Sequence, residues 1–167
     1  MQINDKAYNA FLTMFGDIDF SKSGYRPPLD EPLIFATLSG KTINILSKMG
    51  YEMRSNTLLA STQKQLLHGM RIKKQKAGRS FTKDEFLEFP KHICLENLYM
   101  GINARAEKEI RFFWDIGLEK AKYVYFNLSG ELGTYGITNI EMVKISKKLE
   151  AKQESNLYLS PFKAIRP

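Results

Sequence analysis

The stretch that decides the fold class is RFFWDIGLEKAKYVYFNLSGELGTYGITNIEMV, residues 111–143. Three runs within it, residues 111–116, 123–128 and 137–143, are rich in aromatic and β-branched side chains, which favour strands. Glycines stand between the runs, where the chain has to turn back on itself. The stretch therefore predicts three strands arranged as an antiparallel meander.

The residues before this stretch carry helical patterns. Residues 5–16 place apolar side chains on one face at helical spacing, and residues 40–50 end on a glycine, a common helix stop. Ser61 is placed to cap a helix that runs into a basic segment. The residues Thr82-Lys83-Asp84-Glu85 have the form of a capping box, and the helix that they start stops at Pro90. We therefore predict that helices dominate the chain up to that proline.

The remaining segments are shorter and less decisive. Residues 33–38 fit either a strand or a buried first turn of a helix, and residues 57–60 fit a short strand. Residues 144–154 fit a helix or a linker, and residues 157–166 fit a closing edge strand. Helices first and strands later favour an α+β fold, with N-terminal helices packed on a small antiparallel sheet, over a parallel βαβ arrangement.

Length and composition suit one domain with a polyanionic partner. The chain has 167 residues, and its 43% hydrophobic and 12% aromatic content is enough for a buried core. We expect a single domain in which residues 1–55 form a helical N-terminal part and residues 56–167 form the core. The net charge of +7 favours binding to nucleic acid, a phospholipid surface or an acidic protein.

The number of cysteines and the hydropathy of the sequence indicate the cellular compartment in which the protein works. Cys94 is the single cysteine of the sequence, so no disulfide can form within the chain, and its apolar neighbours predict a small buried side chain. No run approaches the ~18 apolar residues of a membrane span, and the first residues lack the pattern of a signal peptide. We therefore expect a protein of a reducing compartment such as the cytoplasm, either resident there or delivered into a target cell, with no membrane partner.

The segment with the clearest chemical content is LHGMRIKKQK, residues 67–76. On a helix, His68, Arg71 and Lys74 share a face because each follows the previous one by three residues. A base can remove the 2′-OH proton of RNA there while cations neutralise the phosphate, and nearby cations favour the neutral form of a histidine. The same cationic side chains fit a plain electrostatic anchor equally well. Further phosphate contacts are predicted for three cations of the same segment: Lys73, Lys76 and Arg79.

For several other polar and aromatic residues, the sequence is compatible with a structural role as well as with a functional one. The hydroxyl of Thr138 suits a phosphate contact at the start of a strand, and Arg166 is either a ligand or part of a frayed terminus. His92 follows a helix exit and is expected to be structural, and the aromatic residues of the predicted sheet are expected to be core. The sequence contains no metal-ligand cluster, phosphate-binding glycine loop or nucleophile elbow, so it implies neither a metal nor an organic cofactor.

The order of residue types between Ser61 and Val143 follows a known pattern. A histidine and an arginine three residues apart are followed by a lysine, a glycine, an aromatic–proline step and three strand motifs. In this chain these are His68, Arg71, Lys74, Gly78, Phe89-Pro90, Trp114-Asp115, Lys122 with Val124 and Asn127, and Ile137-Thr138. The pattern resembles that of the phage- and toxin-borne ribonucleases of the barnase–EndoU–colicin–RelE class.

The resemblance implies a fold and an activity. A small antiparallel sheet with helices packed on one side would make residues 56–167 a ribonuclease-like core, which cleaves RNA without a metal by 2′-OH transphosphorylation. His68 would act as base or acid, Arg71 and Lys74 would hold the scissile phosphate, and Thr138, Asn127 and Arg166 would position the substrate. A toxin of this kind needs a neutralising partner, and an acidic immunity protein or antitoxin would complement the positive charge.

Two rival functions remain open. A non-catalytic module would bind RNA or DNA through residues 71–79, with salt-sensitive affinity and no dependence on His68. A phage or effector protein that inhibits a host protein would instead form a stable complex with that protein and bind nucleic acid weakly.

Overall fold

A computed structural model of the chain describes residues 5–16, 32–54, 58–62, 65–66 and 83–149. Its helices are α1 (Asp5–Phe15), α2 (Gly40–Lys48), α3 (Lys83–Glu88) and α4 (Ile140–Lys144), with 3₁₀ turns at Phe89–His92 and Leu95–Asn97. Its strands are β1 (Pro32–Thr37), β2 (Leu58–Thr62), β3 (Leu98–Ile102), β4 (Lys108–Gly117), β5 (Lys120–Asn127), β6 (Leu132–Asn139) and β7 (Lys147–Lys148).

The strands form two antiparallel sheets, so the α+β class is confirmed. The larger sheet has the order β6-β5-β4-β3-β7, and the smaller one pairs β1 with β2. The first two strands of the predicted meander are β4 and β5, and the third overlaps β6 over residues 137–139. Its turns use left-handed backbone at Gly117 and Gly130, a conformation that glycine adopts without a Cβ clash.

One side of the larger sheet, which we call the core face, carries Ile110, Phe112, Val124 and Phe126. Helices α1 and α3, the 3₁₀ turn that follows α3, and strand β1 supply aromatic side chains that pack together with this face. They are Phe11, Phe15, Phe35, Phe86 and Phe89. Because residues of α1 and β1 share one hydrophobic cluster with the sheet, the N-terminal residues contribute directly to the core.

The other side of the sheet, which we call the pocket face, carries Arg111, Phe113, Tyr123 and Tyr125. Strand periodicity alternates these residues with those of the core face. Helix α4 turns back over one part of the pocket face, where Ile140, Met142 and Val143 pack against Phe113, Ala121 and Tyr125. The helices are therefore not confined to the N-terminus, and both sides of the sheet receive cover.

Several local predictions are confirmed and three are wrong. The helices at 5–16 and 40–50 and the helix that begins after Thr82 all form, and residues 33–38 adopt the strand alternative. The strand predicted over 137–143 begins earlier, at Leu132, and ends at Asn139, because Ile140, Met142 and Val143 coil over the pocket face, where their side chains are partly buried.

The other two errors concern a cap and a strand. Ser61 lies inside β2, and it is the hydroxyl of Thr62 that accepts a hydrogen bond from the backbone of Gln65. Strand β3 was not predicted, because its sequence Leu98-Tyr99-Met100-Gly101-Ile102 contains a glycine and its polar and apolar residues alternate only weakly. Within residues 144–154, Lys147 and Lys148 form a short strand on the free edge of β3. The predicted edge strand at 157–166 lies outside the described residues.

The predicted burial of Cys94 is confirmed. Its side chain lies within the hydrophobic core, and burial raises the pKa of the thiol to about 12. In the described part of the chain, no helix has the length and apolar content needed to cross a membrane.

Candidate functional site

Most of the predicted catalytic and substrate-binding residues lie outside the described residues. They are His68, Arg71, Lys73, Lys74, Lys76, Arg79 and Arg166. Their roles stay predictions. The chain just before His68 is described, and it is attached to edge strand β6: Gln65 donates to the carbonyl of Leu132, and the hydroxyl of Tyr135 donates to the carbonyl of Leu66.

The two described candidates, Thr138 and Asn127, lie at opposite ends of the β5–β6 pair. Thr138 pairs with Ala121 and shares the pocket face, near the end of β6. The side-chain oxygen of Asn127 accepts hydrogen bonds from the backbones of Ser129 and Glu131, so this oxygen holds the β5–β6 turn. The structure does not bring Thr138 and Asn127 together, and contact of either with a substrate stays a prediction.

The pocket face holds a cavity of about 650 Å³ between the β3–β4 turn, strand β6 and helix α4. Arg111 and Tyr125 line its depth, and Glu109 lines it beside them. Arg111 and Glu109 share the pocket face because they are two residues apart on β4. An arginine only 2% exposed is rare unless it is paired or holds a ligand.

The guanidinium of Arg111 is held by contacts from distant parts of the chain. Its Nε and Nη2 donate to Oε1 of Glu109 at 3.3 and 3.0 Å, and its Nη1 donates to the hydroxyl of Ser146 at 2.9 Å. That hydroxyl donates in turn to the carbonyl of Met142, at 2.9 Å, which ties the end of α4 to the sheet. Arg111 therefore has a fixed orientation.

Two neighbours hold the plane of the guanidinium in place. The Cζ of Arg111 lies 4.5 Å from the centroid of the Tyr125 ring, in a cation–π contact. Beneath it, Gly101 of β3 has no side chain, and a Cβ at this position would collide with the guanidinium. Burial raises the pKa of Tyr125 to about 12, so its hydroxyl stays protonated at neutral pH. Gly101 therefore makes the room in which the arginine lies across the sheet.

Arg111 retains donors for a ligand. A guanidinium has five N–H groups, and the three bonds to Glu109 and Ser146 leave two without a partner among the described residues. The hydroxyl of Thr134, also on the pocket wall, makes no hydrogen bond with the described part of the chain. Donors on residues that line a cavity suit an anionic oxygen, and arginine recognises the planar arrangement of phosphate oxygens well.

The rim of the cavity adds one exposed cation, Arg105, in the β3–β4 turn. The side-chain oxygen of Asn103 accepts hydrogen bonds from the backbones of Arg105 and Glu107, and Ala106 adopts a positive φ of 62°. The turn is therefore held in a defined shape that keeps Arg105 at the mouth of the cavity.

A second polar cluster lies at the other side of the sheet around His92. The imidazole stacks on the ring of Trp114, with centroids 4.5 Å apart and planes 8° apart, and Lys122 of β5 forms an ion pair with Glu85. Burial lowers the pKa of His92, and the charge of Lys122 lowers it further against the opposing effect of Glu88. These contacts agree with the structural role that we expected for His92.

We expect His92 to reduce stability in mild acid. Below its ordinary pKa of 6.5 the unfolded chain binds a proton that the folded chain resists, so the free energy of unfolding falls as the pH drops from about 6.5 toward the lower pKa of the folded state. The slope from one such group is at most about 1.4 kcal/mol per pH unit. Urea unfolding at several pH values should show a smaller slope for His92→Phe, which keeps a flat ring on Trp114. An equal slope in both proteins would contradict the prediction.

Comparison with known proteins finds no protein similar to this chain. No protein-family model matches the chain, and neither a curated protein nor a solved structure matches it. The described residues also contain no group of three or more histidine, cysteine or acidic side chains that could hold a metal ion.

Sequence reasoning missed Arg111 and Glu109. The signal that could have found them is a charged residue inside an otherwise apolar strand run, IRFFW at residues 110–114, since a cation in such a run has to be paired or functional.

Proposed function

We propose that the protein binds RNA with one phosphate at the Arg111 cavity and cleaves the strand without a metal ion. The observation that carries the proposal is the buried, oriented guanidinium of Arg111, which lines the cavity and keeps two N–H donors without a partner among the described residues. The net charge of +7 supports a polyanionic ligand.

The proposed reaction is transphosphorylation. The 2′ oxygen attacks the adjacent phosphorus, a base takes its proton, and the bond from phosphorus to the 5′ oxygen breaks as an acid protonates that oxygen. The products are a 2′,3′-cyclic phosphate and a 5′ hydroxyl. His68 would serve as base or acid, while Arg71, Lys74 and Arg111 would stabilise the charge that builds up on the phosphate. An acidic immunity protein or antitoxin belongs to the same proposal.

A second candidate is RNA binding without cleavage. It is favoured by the same cavity, because the donors of Arg111 and the charge of Arg105 are enough for a phosphate contact by themselves. In this case His68→Ala would bind and act as the wild-type protein does.

The deciding experiment is incubation of the purified protein with total RNA in EDTA. Wild type is expected to cleave and leave 2′,3′-cyclic phosphate ends, His68→Ala to be inactive, and Arg111→Lys to lose about 100-fold in rate, because lysine keeps the charge but not the fork of donors. Arg54→Lys, at an exposed arginine outside the cavity, is the matched control and should keep full activity.

The outcomes separate the candidates. Salt-sensitive RNA binding by a folded wild-type protein, without cleavage, would replace the enzyme by the binding module. A folded protein that neither binds nor cleaves RNA, or equal rates for Arg111→Lys and Arg54→Lys, would overturn the assignment of the cavity.

A further inference from the structure

Beside Arg105, the mouth of the Arg111 cavity carries a patch of aliphatic side chains, which we call the apolar mouth. Ile102, at the end of β3, is 55% exposed, and Ile145, just after α4, is 72% exposed, and both line the cavity together with Met142. They are two of the five large hydrophobic side chains that are exposed among the described residues. Two aliphatic side chains from separate elements thus leave apolar surface in water beside a buried cation.

We infer that this apolar mouth is a subsite for one unpaired nucleobase, whose own phosphate lies at Arg111. The inference rests on the proposed function and specifies which part of an RNA strand enters the cavity. A nucleotide joins a flat, largely apolar ring to an anionic phosphate through a single sugar. The cavity offers a complementary pair: aliphatic side chains at its mouth and, deeper in, the N–H donors that Arg111 keeps beside its ion pair with Glu109. Its volume of about 650 Å³ is within the usual range of small-ligand sites, ~300–1,000 Å³.

The base has to be unpaired because of where its apolar surface lies. In a duplex both faces of each base are covered by its stacked neighbours, so an aliphatic side chain can reach a base face only after the base has left the stack. Aromatic stacking is not offered here, since the Arg111 guanidinium already covers one face of Tyr125. Ile102, Met142 and Ile145 would supply the contact instead.

Binding of labelled RNA tests the inference. Fluorescence anisotropy would compare a short single strand with a duplex of the same sequence, using full-length protein that carries His68→Ala so that the probe stays intact. On this background, Ile102→Ala with Ile145→Ala is expected to weaken single-strand binding about tenfold and to leave weak duplex binding unchanged. Leu118→Ala is the matched control, because this leucine is 94% exposed in the β4–β5 turn outside the cavity.

A single strand with one abasic nucleotide at each position in turn provides the complementary probe. One position should lose about as much affinity as the double isoleucine variant loses, and the two losses should not add. Equal single-strand affinity for the double variant and Leu118→Ala, or equal wild-type affinity for strand and duplex, would overturn the nucleobase subsite. If binding still falls in Arg111→Lys, the proposed function survives that result, whereas absence of binding to every RNA would overturn both.

Discussion

Replacement of Arg111 by alanine is expected to lower the free energy of unfolding by about 3–5 kcal/mol, the usual cost of breaking a buried ion pair from one side. The carboxylate of Glu109, whose side chain is 12% exposed, would lose the guanidinium that accounts for its burial. The same change removes the cation–π contact with Tyr125 and the hydrogen bond that Ser146 accepts. Chemical denaturation of wild type and variant measures the difference directly.

Two comparisons make this prediction specific. Replacing both partners, Arg111→Met with Glu109→Gln, should cost much less than Arg111→Ala, because no charge is then left buried without its partner. Arg54→Ala, at an exposed arginine, should change stability by about 0.5 kcal/mol or less. A loss below about 1 kcal/mol for Arg111→Ala would mean that water reaches the pair and that the guanidinium is not held as the structure shows.

Gly101→Ala is expected to weaken RNA binding by at least tenfold. The added Cβ would occupy the position of the Arg111 guanidinium, which cannot retreat easily because Glu109, Ser146 and Tyr125 hold it. Overpacking of this kind typically costs about 1–3 kcal/mol of stability, so the variant should still fold. Anisotropy with a single-stranded RNA measures the binding loss, and thermal unfolding measures the stability.

The matched control is Gly133→Ala on β6, which lines the same cavity. A Cβ there would lie 3.7 Å from the carbonyl oxygen of Tyr125, an ordinary contact distance, so both binding and stability should stay close to wild type. Gly136→Ala is an intermediate case, since its Cβ would lie 3.0 Å from the hydroxyl of Tyr123, a group that can shift. Equal binding by Gly101→Ala and Gly133→Ala would show that the position of Arg111 does not matter for RNA.

The local elements were largely predictable, because short-range physics decides them. Apolar spacing marked α1, the capping box marked α3, and aromatic and β-branched runs marked β4 and β5. The predictions failed where contacts with residues distant in the sequence overrode the local pattern. Residues 140–143 alternate like a strand, yet they coil into α4 because only a turn back over the sheet covers Phe113 and Ala121.

The candidate functional residues also fall into two groups, those that the sequence shows by itself and those that only the tertiary contacts show. His68 and its cationic neighbours stand out in the sequence because their spacing is local, and they remain the catalytic prediction. The local mark of Arg111 is its apolar neighbours in β4, and this mark does not show what the arginine contacts. Its contacts depend on Glu109 beside it, Gly101 on the next strand and Ser146 beyond α4. Strand pairing and the return of α4, which no short-range pattern specifies, bring these residues together.

The sequence by itself determined that this chain is a basic α+β protein with an antiparallel sheet and an aromatic core, since charge, turn residues and hydrophobic periodicity are properties of neighbouring residues. Tertiary structure alone decided that an arginine from an apolar strand lies at the bottom of a cavity with an aliphatic mouth. The physical reason is that periodicity specifies which face of the sheet a side chain joins. The register of distant strands and the packing of α4 specify which side chains it meets there.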